Sequence, residues 1–190
     1  MRTFIAIELP KEIRENLTQL QERLKALSLD VKWVSQENIH LTLKFIGESD
    51  EKKVDRTKEI LEEVARENTG FTATLSSIGV FPDVKFPRII WVGIGQGDEK
   101  IKAIVKNLED KIAKLGIPKE ERPFLSHITI GRIKSPKNKD RLIQEIENLG
   151  QEFINSTFSF AVNKITLFKS TLKPQGPIYE ILKEASLKTT

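Results

Sequence analysis

The sequence contains no cysteine at all. Disulfides, zinc–thiolate sites, iron–sulfur clusters and thiol nucleophiles are therefore excluded, and the chain fits a reducing cytoplasm. Histidine is nearly as scarce, with two in 190 residues. A histidine pair without a neighbouring carboxylate makes a poor metal cage, so no metal and no cofactor are expected. No run approaches the ~18 apolar residues of a membrane span. The opening stretch MRTFIAIELPKEIRENL turns charged too quickly for a secretory signal. These absences predict a soluble cytoplasmic protein with no membrane partner. There is no Gly/Ser linker and no low-complexity segment. The Gly-x-x-x-x-Gly-Lys phosphate loop is also missing, so an ATP-driven ligase built on it is not supported.

What is present reads as an ordinary globular protein, 38% hydrophobic and 31% charged. Its length suits one domain, or two small lobes sharing an interface. A net charge of +4 suits an anionic ligand. Arg2–Leu9 is β-branched and apolar and reads as a buried strand. Pro10 then opens an amphipathic helix, with Ile13, Leu17, Leu20, Leu24 and Leu27 on one stripe. A short strand Val31–Val34, a strand from His40, a helix over about 52–67 and strands near 71–77 and 89–94 follow. The second half repeats the order. A helix over about 98–115 ends at Gly116, followed by a strand from His127, a helix over about 139–149 and strands near 158–163, 164–169 and 178–187. This pattern predicts an α+β fold of two pseudo-symmetric lobes. Each would be an antiparallel sheet with outer helices, the halves being about 1–95 and 96–190, with a ligand cleft between them.

Both histidines head the same pattern, HLTL at His40–Leu43 and HITI at His127–Ile130. Side chains alternate along a strand, so His40 shares a face with Thr42, and His127 with Thr129. An imidazole titrates near neutrality, so two can work as one proton acceptor and one donor. Threonine hydroxyls can donate to anionic oxygens. Acid, base and two donors suit in-line displacement at a phosphodiester without a metal, most readily at a strained cyclic phosphate. By the same alternation Lys44 is expected beside His40 and Thr42, and Phe45 in the core. Arg132 falls on the face opposite His127 unless a bulge near Gly131 turns it. Phe45 and Tyr179 are candidate stacking partners for an RNA base. Trp33, Phe81 and Trp91 read as packing.

At these residues the chain resembles the 2H phosphoesterases, named for two His-x-Thr-x motifs, and among them the RNA 2′,3′-cyclic phosphodiesterases, also called 2′-5′ RNA ligases or LigT-like proteins. RTFIAIELP, WVSQENIHLTLKFIGE, IGVFPDVKFPRIIWVGI, FLSHITIGRIK and KSTLKPQGPIYEIL each look like a block of that family. The resemblance implies a bilobal α+β fold and hydrolysis of an RNA-terminal 2′,3′-cyclic phosphate to a 2′-phosphomonoester. It implies His40 as proton donor, His127 as proton acceptor, and Thr42 and Thr129 as phosphate-binding residues. Lys44, Arg132, Phe45 and Tyr179 become candidate substrate contacts. The implied partner is single-stranded RNA ends, including tRNA halves in tRNA processing, handled by a monomer. Ser126 stands where the family often has proline. The alternatives are 2′-5′ RNA ligation at the same site, a non-catalytic RNA-end-binding module, and a phosphodiesterase of small cyclic nucleotides.

Overall fold

The computed structural model describes residues 1–154 and 158–189. Nine strands and four α-helices are formed by these residues. In chain order they are β1 (Arg2–Glu8), α1 (Lys11–Lys25), β2 (Val31–Trp33), β3 (His40–Glu48), α2 (Glu51–Glu67), β4 (Phe71–Phe81), β5 (Ile89–Ile94), α3 (Asp98–Ile112), β6 (His127–Ile133), α4 (Lys139–Ile154), β7 (Ser159–Val162), β8 (Lys164–Lys173) and β9 (Gly176–Ser186). Local chemistry explains most boundaries. The Asp50 carboxylate accepts the backbone N–H of Lys53 and caps α2. After α3 one 3-10 turn runs to Leu115 and stops at Gly116, whose φ of +77° suits glycine.

The strands form two antiparallel sheets, β3-β1-β8-β9 and β2-β6-β5-β4-β7. Each sheet draws strands from both halves of the chain. The expected halves 1–95 and 96–190 therefore do not each close into a lobe. The last long strand of each half crosses over: β4 pairs with β5, and β8 pairs with β1. Helices cross as well. α1 follows β1 yet packs on β6, while α3 follows β5 yet packs on β3. The interior is correspondingly continuous. Ile5 and Leu41 of the first sheet belong to the same buried cluster as Ile90 and Ile128 of the second.

The two histidine strands meet where the sheets adjoin. β3 is the edge of its sheet, and the short β2 covers only the Gly131–Ile133 end of β6. β3 and β6 are in contact. Their free faces, carrying His40 and His127, border the groove between the lobes. Among the described residues no helix is long and apolar enough to cross a membrane.

Candidate functional site

The two motifs match in detail. In β3 the pairing with β1 slips at Leu43, so that Ile5 faces Lys44 and Ala6 faces Thr42. In β6 the pairing with β5 slips at Ile130, so that Ile90 faces Gly131 and Trp91 faces Thr129. Each bulge falls on the fourth residue of its motif. A bulge adds one residue, so every side chain beyond it changes face. Lys44 accordingly turns inward and Phe45 outward, and in β6 Gly131 turns inward and Arg132 outward.

Two strand-alternation readings are thereby corrected. Lys44 is only 2% exposed. Its ammonium pairs with Glu109 of α3 at 2.9 Å and donates to the Pro118 carbonyl at 3.0 Å. It cannot touch a ligand in the groove. Phe45, read as core, is 57% exposed on the His40 face. The bulge that Arg132 needed is present, and its guanidinium charge acts on both His40 and Tyr179.

Each bulge has a fastening from the helix that packs on it. Gln21 sits on the apolar stripe of α1 between Leu17 and Leu24 and is buried. Its side-chain amide donates to the carbonyls of Val34 and of the bulge residue Ile130, each at 2.8 Å. Glu109 holds the same place on α3, between Val105 and Ile112, and holds Lys44. The signal for both was a polar residue inside a helical apolar stripe.

Both imidazoles are anchored alike. His40 Nδ1 lies 2.7 Å from the Asn38 carbonyl, and His127 Nδ1 lies 2.8 Å from the Leu125 carbonyl. A carbonyl only accepts, so Nδ1 carries the proton in each ring. Nε2 is left as the reactive nitrogen. In neutral His40 it accepts from the Thr42 hydroxyl at 2.8 Å. Among the described residues His127 Nε2 makes no such bond.

The surroundings of the rings differ. His40 lies 5.1 Å from the Phe4 ring and edge-on to Tyr179 at 5.3 Å. Burial pushes its imidazolium below the ordinary histidine range. The Asn38 carbonyl opposes this, and the charges of His127 and Arg132 push further down. The two rings are thus close enough to sense each other's charge. His127 stands edge-on to Phe81 at 5.1 Å, and Phe81 stacks on Trp91 at 5.0 Å. Phe81 packs, as its sequence context suggests, but it packs against the histidine. Trp91 lies over Gly79, where a Cβ would come within 2.5 Å of the indole. Ser126, just before His127, is buried.

Such a constellation can accept a proton at one nitrogen, release one at another, and offer two hydroxyls to an anion between them. Among the described residues no cluster of three His, Cys, Asp or Glu could hold a metal ion. A separate apolar cavity of about 240 Å³ opens between α1 and α4, lined by Leu17, Leu20, Leu149 and Phe153, away from both histidines.

Comparison with known proteins agrees with this geometry. The chain is 39% identical over 184 residues to the RNA 2′,3′-cyclic phosphodiesterase of Methanocaldococcus jannaschii, covering 97% of this chain and 99% of that protein. A crystal structure from Thermus thermophilus superposes with a TM-score of 0.81 at 27% identity, covering 98% of each chain. The Escherichia coli LigT complex with 3′-AMP superposes with a TM-score of 0.75 at 28% identity, covering 98% of this chain and 97% of that one. The description "LigT like Phosphoesterase" fits the sequence twice, over residues 7–91 and again over 92–179, and the chain belongs to that family.

Proposed function

We propose that this protein hydrolyses RNA-terminal 2′,3′-cyclic phosphates to 2′-phosphomonoesters by a two-histidine mechanism that needs no metal. The observation that carries the reading is the matched pair of imidazoles on adjoining strands, both with Nδ1 fixed and Nε2 turned to the groove. The 39% identical relative bears the name of this activity. LigT of E. coli has been crystallised with 3′-AMP, which suits a groove for RNA ends.

In the proposed step a water oxygen attacks phosphorus as its proton passes to His127 Nε2. The bond from phosphorus to the 3′ oxygen breaks, and that oxygen takes a proton from His40 Nε2. Thr42 and Thr129 donate to the non-bridging oxygens while charge builds there. Arg132, Phe45 and Tyr179 serve as substrate contacts, and Lys44 does not. One chain supplies the whole site, consistent with a monomer acting in the cytoplasm on single-stranded ends such as those of tRNA halves. The two histidine-bearing units, β1-α1-β3-α2-β4 and β5-α3-β6-α4-β8, read as copies of one repeat joined within 82–88.

The test uses a short RNA ending in 2′,3′-cyclic phosphate, with excess chelator and separation of 2′- from 3′-monophosphate products. Wild type yields only the 2′ product, and His40→Ala and His127→Ala each lose about 10²–10⁴-fold in rate. Equal turnover by the variants would overturn the mechanism. Adding a 5′-hydroxyl RNA to the same mixture reports ligation.

A further inference from the structure

The groove face of the first sheet is a ladder of side chains whose chemistry changes rung by rung. Partners directly opposite on neighbouring strands share a face. The first rung is His40 beside Glu8, and the second is Thr42, Ala6 and Thr166. The third is Phe45, Phe4, Phe168 and Ile181, and the fourth is Arg2, Ser170 and Tyr179. The proposed phosphate site therefore continues into an apolar shelf and then into a cation.

The shelf is open where it matters. Phe4 and Phe168 are buried at its base, whereas Phe45 and Ile181 are 57% and 53% exposed. Phe4 lies 6.2 Å from Phe45 and 4.9 Å from Tyr179, so the rings form one contiguous surface starting at His40. Beyond it, burial raises the Tyr179 phenol, while the charges of Arg132 and Arg2 from opposite sides of the groove oppose that rise. Among the described residues neither arginine has a carboxylate partner within ion-pair distance. Two unpaired guanidiniums around a phenol form a bay for a second anion. From the Thr42 rung to the Arg2 rung is four residues of β1, roughly 13 Å.

We propose that Arg2 and Tyr179 bind the phosphate that joins the terminal nucleoside of the substrate to the nucleotide before it, while the base of that terminal nucleoside lies on Phe45 and Ile181. The enzyme then selects the end of an RNA chain over a free cyclic mononucleotide. Charge decides for RNA here: a bare apolar shelf would suit any planar ring, but the arginine at its far end calls for an anion at a fixed distance from the first. This inference rests on the phosphodiesterase reading of the site.

The test compares three substrates: a 2′,3′-cyclic mononucleotide, a dinucleotide with the same cyclic end, and that dinucleotide with an uncharged methylphosphonate linkage. Wild type favours the charged dinucleotide over the mononucleotide by about tenfold or more in kcat/KM, and loses that preference on the methylphosphonate. Arg2→Gln removes the preference for the charged linkage, and Phe45→Ala weakens binding of both dinucleotides equally. The proposal fails if wild type treats the two dinucleotides alike, or if Arg2→Gln keeps the full preference. Binding of the matching 2′-phosphorylated products, followed by calorimetry, gives the same comparison without turnover. A protein that binds the dinucleotide product in an Arg2-dependent way but hydrolyses nothing would retain the subsite and lose the phosphodiesterase reading.

Discussion

His40 and His127 hold their Nδ1 protons on the same kind of acceptor, a backbone carbonyl two residues earlier, and only their company differs. Phe4 and Tyr179 enclose His40, and burial favours its neutral form. In the empty groove this ring accepts from Thr42 and has no proton to give from Nε2. A phosphodiester anion beside it would offset the positive charges of His127 and Arg132 and draw a proton back. Nitrogen-detected NMR titration should find His40 titrating below the ordinary histidine value, and inorganic phosphate or a nucleoside 2′-monophosphate should raise it. Folding stability follows with a fixed sign. The folded-state value is depressed, so the unfolded chain binds more protons in the interval between the two values. The contribution is complete above about pH 6.5 and is lost as pH falls toward the folded value. Urea denaturation from about pH 8 to about pH 5 should show that loss, and His40→Asn should flatten it.

Helices and strands carry the next level of control, because the two bulges decide what faces the groove. A one-residue slip moves everything beyond it to the other face, and periodicity cannot announce it. In β6 Gly131 marked the place, and the turn of Arg132 was legible. In β3 nothing did. Leu43, Lys44 and Phe45 read naturally as apolar-in, polar-out, apolar-in, and the structure buries the lysine and exposes the phenylalanine. The helical fastenings explain how the slip is held. Gln21→Leu, close in size, should leave the Val34 and Ile130 carbonyls without their amide donor and cost about 1–3 kcal/mol, read from urea midpoints. Lys44→Met should leave Glu109 without its ammonium, and its cost falls at or below the ~3–5 kcal/mol of a fully buried pair because Glu109 keeps some contact with water. The motifs, strand types and helix stripes were all visible in sequence, since they repeat at periods of two or 3.6. The fastenings are contacts across the lobes, which no local pattern encodes.

At the scale of the whole molecule the chain is woven rather than divided. The sequence pattern located two similar units, but pairing across them could not be read from order alone, because β4 and β8 each look like strands that would stay at home. Their exchange predicts that neither unit folds alone. A fragment of residues 1–88 would keep β1 without β8 and β4 without β5 or β7, and should show no cooperative thermal transition. The intact chain should melt in one transition, as its continuous core requires. The exchange also bears on timing. A proton donor and acceptor mounted on separate bodies must be brought into register at every encounter, with a loss of motional freedom each time. Strands crossing between the sheets place that loss in folding, once per molecule, before any RNA arrives. Capture then becomes a matter of diffusion and charge into a groove already set, and turnover carries no step for assembling it.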